Sequence, residues 1–225
     1  AQDHHWVREV LIRQFGGEPY TSDYQTVTYD DGAGAAALQW YSDLQTKHGV
    51  TQSGFMDQPQ AAFKAGRAGM HIDGSFRIGA LNKTRGLEWA VAELPAGPGG
   101  IQSNYSSYWV NAITSKAEGE KEAAALKFLA FITSDDAMQI WLDTVGELPA
   151  KPSAGMTDAN RADPVFGPFI SGLAYAKTTI FANESAQRQV LVDAMQRILL
   201  EGETAEKSIG VAAVQEQEIL DRYYK

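Results

Sequence analysis

The chain has 225 residues, 44% hydrophobic and 21% charged, which sets disorder aside and allows one large domain or two small ones. Its 28 Asp and Glu against 19 Lys and Arg give a formal net charge of -9, with no basic run or basic-aromatic stripe, so a nucleic-acid partner is not expected. The absence of cysteine excludes disulfides, thiolate zinc sites and cysteine nucleophiles, and no apolar run reaches the length of a membrane span.

The N-terminus, AQDHHWVREV, lacks the basic start and apolar core of a secretion signal, so the signal of an exported parent is expected outside this chain. Ala37, Tyr41, Leu44 and His48 recur at helical spacing behind Asp30 and Asp31, which predicts an amphipathic helix from Ala33 to His48. Asp57-Gln58-Pro59 opens a short helix through Phe63, and Gly66 stands where a helix C-terminus favours glycine. A strand from Arg67 to Asp73 follows, alternating through Ala68, Met70 and Ile72. A second, from Glu88 to Leu94, is stopped by Pro95 and leads into the solvated loop PAGPGG.

In YSSYWVNAI, Tyr105, Ser107, Trp109 and Asn111 share one side of a third strand and Ser106, Tyr108, Val110 and Ala112 the other. Aromatic or polar atoms on both sides predict a cleft edge rather than a sheet centre. Two helices come next: Glu120 to Thr133, with the stripe Ala125, Phe128, Leu129 and Ile132, and Ser134 to Val145, with Met138, Trp141, Leu142 and Val145. Ser134 is the predicted N-cap of the second and Gly146 its stop. The proline-punctuated GELPAKPS crosses between substructures. Helices from Ser185 to Glu201 and from Thr204 to Tyr223 complete the chain.

The stretch AAFKAGRAGMHIDGSFRIG, from Ala61 to Gly79, raises three chemistries. A phosphate loop is disfavoured because Phe76 stands where the spacing Gly74-x-Phe76-x-x-Gly79 needs the glycine that lets a pyrophosphate approach. A nucleophilic Ser75 lacks both the G-x-S-x-G elbow and a plausible base among His4, His5, His48 and His71. A ligand platform fits better: Gly74 permits close backbone approach, Asp73 and Ser75 offer hydrogen bonds, and Phe76 offers a flat apolar face, the mixture a sugar needs. Packing of Phe76 in the core is the competing account. Asp3, His4 and His5 lack the spacing of a metal site, and carboxylate pairs for glycoside hydrolysis are defined by spatial separation rather than by sequence.

The order QAAFKAGRAGMHIDGSFRIG, EWAVAELPAGPGG, YWVNAITSKAEGEKEAAALKFLAFITSDDAMQIWL and GELPAKPS resembles the extracellular solute-binding proteins of ABC sugar importers, the maltose-binding-protein-like group. The resemblance runs from about Trp6 to Leu220. It implies an α/β fold of the type II periplasmic-binding-protein kind, with residues 1–107 and 154–225 as most of the C-terminal lobe. Residues 108–153 would be a hinge strand and helices returning to an N-terminal lobe with no counterpart before Ala1. The apolar stripes at Phe128, Leu129 and Ile132 or at Trp141 and Leu142 are then expected to be exposed.

Function follows from the same resemblance: a mono- or oligosaccharide held between lobes without catalysis or cofactor and delivered to ABC permease subunits, in the periplasm or as a surface lipoprotein. A carbohydrate-active enzyme and a sensor reusing the fold stand as alternatives. Among site positions, Phe76 falls where the family has a sugar-stacking aromatic, usually Trp, and its ring is smaller and lacks the N–H. Trp6 lies near a second aromatic position, Tyr105, Ser107 and Tyr108 on the hinge strand, and Arg188 near a further aromatic, where an arginine implies a more polar or acidic ligand. On this reading the chain by itself binds sugar weakly, since micromolar affinity takes about -8 kcal/mol and a closed site buries roughly 70% of its ligand.

Overall fold

A computed structural model describes residues 4–51 and 59–225. In chain order the helices are α1 (His4–Trp6), a π-helical turn (Val7–Leu11), α2 (Ile12–Gln14), α3 (Gly32–Thr46), α4 (Pro59–Lys64), α5 (Ile78–Asn82), α6 (Glu120–Ile132), α7 (Asp135–Val145), α8 (Pro152–Gly155), α9 (Asp158–Ala162), α10 (Phe166–Gly172), α11 (Glu184–Glu201) and α12 (Ala205–Tyr224). Strands β1 (Asn104–Tyr105) and β2 (Ala176–Lys177) pair in parallel, Asn104 opposite Ala176 and Tyr105 opposite Lys177. The chain forms two compact units: one of Ala1–Gln58, Leu94–Ser106 and Tyr175–Lys225, the other of Pro59–Glu93 and Ser107–Ala174.

The first unit is built round a helix that is buried on every side. Every residue from Val7 to Gln14 is buried, Arg8, Glu9 and Arg13 included. The π turn, in which Ile12 N–H reaches Val7 O, widens the helix by a residue and leaves neighbouring Arg8 and Glu9 both inside. Leu38 of α3, Leu191 of α11 and Ile209 and Leu220 of α12 close the apolar part of this core.

Its polar part converges on Glu216 of α12. One carboxylate oxygen accepts from Arg8 Nη1 at 2.8 Å, from Gln187 Nε2 at 3.0 Å and from the Tyr20 hydroxyl; the other accepts from the Tyr29 hydroxyl at 2.5 Å. Arg8 Nε also donates to Glu9 at 3.0 Å, and Arg13 Nη1 to the far oxygen of Glu9 at 2.8 Å. Burial alone lowers the Arg8 pKa, but Glu216, the phenol oxygens and Glu9 outweigh it and raise it, so the guanidinium keeps its proton. Burial, with Glu216 beside them, pushes Tyr20 and Tyr29 well above the phenol range, so both remain donors.

Local sequence sets the helix ends here. Asp31 caps α3 by accepting from Gly34 N at 2.9 Å, Thr204 caps α12 through Lys207 N, and Gly202, at φ 72°, ends α11 in the left-handed conformation. The helices predicted over 33–48, 185–201 and 204–223 are all present within two residues at each end.

In the second unit α6 and α7 contain no buried residue. Phe128 is 60% and Trp141 46% exposed, as expected of their stripes, while Leu129, Ile132 and Leu142 are half-buried. Ser134 caps α7 through Ala137 N, and Gly146, at φ 73°, ends it, both as predicted. The predicted short helix opens at Pro59, and its Asp57 lies outside the described residues.

The strands predicted at 67–73 and 88–94 make no ladder among the described residues, and the third shortens to Asn104–Tyr105. Alternation fixes side-chain faces, but a ladder also needs a neighbour about 4.8 Å away. Without one, Met70 is 91% and Trp109 97% exposed. The second unit joins 59–93 and 154–174 to 107–153. Close packing inside that unit ties these segments: a Cβ on Gly79 would lie 2.4 Å from Val145 O, and one on Gly155 2.7 Å from Pro149 O.

Replacing Glu216 by Gln, which removes one of the two carboxylates paired with buried Arg8 and leaves Glu9 to serve both Arg8 and Arg13, is expected to cost about 3–5 kcal/mol in denaturant unfolding. Adding Arg8→Gln should cost at least about 1 kcal/mol less than the sum of the two single changes. A single-variant loss below about 1 kcal/mol would show that the buried charges do not support one another.

Candidate functional site

The segment from His71 to Arg77 ends in a 3-10 turn, Ser75–Arg77, which feeds α5. Gly74 precedes the turn in extended conformation, φ -94° and ψ 166°, and Arg77 N–H returns to Gly74 O at 3.1 Å. This conformation suits any residue; what a side chain here would meet is the ring of Phe76. The ring folds back so closely that a Cβ on Gly74 would lie 2.2 Å from Cε1. The close approach expected of a ligand is thus made by the chain's own ring, which remains 54% exposed.

Asp73 organises the turn. Oδ2 accepts from His71 Nε2 at 2.8 Å and Arg77 Nε at 3.0 Å, and Oδ1 accepts from Gly74 N at 2.8 Å. Burial works to raise the Asp73 pKa, but the His71 bond, the Gly74 amide and the Arg77 charge prevail and hold it below the usual carboxylate range. The Arg77 guanidinium lies over the Phe76 ring, Cζ 5.1 Å from its centroid. His71, 6.0 Å from the ring of Phe63, donates from Nε2 to Asp73.

The other predicted positions have different settings. Trp6 packs against the core of the first unit, its ring 6.2 Å from Tyr41. Tyr105 is half-buried in β1. Ser107 and Tyr108 are exposed and, like Asp73, Gly74, Ser75 and Phe76, belong to the second unit. Arg188, on the exposed side of α11 in the first unit, donates from Nη2 to Glu184 Oε1, which also pairs with His5 Nε2 at 3.1 Å. The His5 ring meets Phe181 edge-on at 4.9 Å. The His5 bond foremost, with Arg188 against a partial burial penalty, lowers the Glu184 pKa.

The structure therefore brings together Asp73, Gly74, Ser75 and Phe76, and adds His71 and Arg77, which sequence reasoning left out. A signal was present: His71 stands two residues before Asp73 and Arg77 four after it. Among the described residues no group of three or more His, Asp or Glu could hold a metal ion, and no helix is long and apolar enough to cross a membrane.

The chain belongs to the bacterial extracellular solute-binding protein family, whose profile matches residues 2–167. Among curated proteins there is no match. Solved structures define the fold as periplasmic-binding-protein-like. The maltose-bound MalE3 of T. maritima is 24% identical with a TM-score of 0.78, over 97% of this chain and 56% of that one. A solute-binding protein of Thermotoga lettingae bound to α-D-tagatose is 23% identical with a TM-score of 0.81, over 96% and 57%. The GacH receptor of Streptomyces glaucescens, solved free and with acarbose, is 21% identical with a TM-score of 0.78, over 98% and 57%. The chain thus spans little more than half the length of these structures.

Because the Asp73 pKa is lowered on folding, its contribution is complete above the ordinary carboxylate range and is lost as pH falls through the folded value. Asp73→Asn is expected to cost about 1 kcal/mol or less near neutral pH and nothing in strong acid, read by urea unfolding across pH. A cost independent of pH would assign the effect to packing instead of charge.

Proposed function

We propose that the protein is the carbohydrate-binding component of an ABC importer, a non-catalytic receptor that holds a mono- or oligosaccharide and passes it to membrane permease subunits. The observation that carries this reading is the half-exposed Phe76 ring, seated on Gly74 beside Asp73 and Ser75, in a chain of the solute-binding family. A flat apolar face next to hydrogen-bonding groups is what the two sides of a pyranose require. Ser107 and Tyr108 are further contact candidates in the same unit, and Tyr105, Arg188 and Trp6 in the other.

Support comes also from the solved neighbours, bound to maltose, tagatose and acarbose. The extracellular character of the family supports a place in the periplasm or, through a lipid anchor, on the cell surface. The family and the solved neighbours are binding proteins, which favours a receptor over an enzyme.

Calorimetric titration of the complete gene product with a glycan panel tests this function. A sugar should bind, Phe76→Ala should weaken it about tenfold, and Phe76→Trp should match or exceed the parent. Unchanged affinity in Phe76→Ala would remove the ring from the site.

A further inference from the structure

In the turn at Asp73 the carboxylate is largely engaged by donors of the chain itself. A carboxylate offers about four lone-pair sites, and Asp73 has filled three of them with His71, Gly74 and Arg77. Arg77 uses only Nε in this exchange, and none of the hydrogen bonds among the described residues employs its two Nη groups. Its planar head is nevertheless held on two sides, by Asp73 at 3.0 Å and by the Phe76 ring, while its side chain stays 43% exposed.

A fixed pair of Nη groups matches the two oxygens of a carboxylate or phosphate. Neutral sugar hydroxyls, by contrast, need acceptors as well as donors, and here the carboxylate is largely engaged, which leaves the Ser75 hydroxyl. Local charge points the same way. In a chain of net charge -9, residues 59–93 carry Lys64, Arg67, Arg77, Lys83 and Arg85 against Asp73, Glu88 and Glu93.

We propose that this turn selects an acidic sugar, whose carboxylate or phosphate ester is taken by the Nη groups of Arg77 while its ring lies against the part of Phe76 that Arg77 leaves exposed. The inference rests on the carbohydrate-binding function proposed above. Arg77 is then the residue that sets ligand class, and Asp73 and His71 are positioning residues that hold its head.

The test is calorimetry on the complete gene product with glucose, glucuronate and glucose 6-phosphate, and with galactose and galacturonate. At low salt an acidic sugar should bind at least about tenfold tighter than its neutral parent, with a preference that falls as ionic strength rises. The uronate and phosphate arms distinguish the two anions. Arg77→Gln should bring acidic and neutral partners within about twofold, and Arg77→Lys, which keeps the charge without the fork, should fall between. Neutral parents binding as well as or better than acidic sugars would overturn the acidic selection and leave carbohydrate binding standing. Binding of none of these sugars, with a neutral oligosaccharide of the glycan panel bound instead, would overturn the acidic selection alone; binding of no sugar in either panel would overturn both. Retention of the preference in folded Arg77→Gln would remove Arg77 from the role, and the wild-type panel decides the ligand class however the variants fold.

Discussion

Glu216 is the constraint round which the first unit is arranged. A carboxylate without solvent must be met by donors, because an unpaired buried charge costs several kcal/mol. Four donors meet it, drawn from the first helix, from two tyrosines in the 20–29 stretch and from α11. Each of those elements is thereby fixed to α12. The π turn belongs to the same solution, since Arg8 must reach Glu216 while its neighbour Glu9 faces Arg13. Such a network contributes more to the choice of one arrangement than to raw stability, since apolar residues of similar volume would pack at least as well.

A smaller version of this logic governs the Asp73 turn. One carboxylate oxygen is shared by an imidazole and an arginine, and the arginine covers an aromatic ring. Glu184 repeats the pattern in the first unit, where one oxygen pairs with His5 and Arg188 beside the His5–Phe181 contact. In both, the acid stands four residues before the arginine, so a single turn of chain brings them together. The acids are occupied from within, and the outward-facing groups are arginines and phenylalanines.

The helices were legible because their signals are local. Asp31, Ser134 and Gly146 act within one turn of themselves, and the structure uses each as a cap or stop. The first helix was not legible, because a helix buried on all sides shows no amphipathic stripe. Its Arg8, Glu9 and Arg13 look like a solvated face until Glu216, some two hundred residues away, is placed beside them. The strands failed for the opposite reason: alternation at Ala68, Met70 and Ile72 is a local signal, whereas a ladder is a property of two segments. At the proposed site the sequence indicated Asp73, Gly74, Ser75 and Phe76 from chemistry, but the ring's return over Gly74 is a rotamer choice that no spacing encodes.

That return changes what the glycines in this stretch mean. Gly74 and Gly79 have the spacing of a phosphate loop, yet each leaves room for protein: Gly74 for the Phe76 ring and Gly79 for the Val145 carbonyl. A phosphate loop needs glycines so that a ligand can approach the backbone; here the approach is already occupied. The exclusion first drawn from the missing middle glycine therefore holds for a second, independent reason. It also moves the point of ligand contact away from the backbone, onto the exposed part of the Phe76 ring and the half-exposed arginine above it. A solute recognised there meets an apolar surface bordered by a fixed cation, a combination that disfavours a small neutral polyol and suits a ring that carries its own charge.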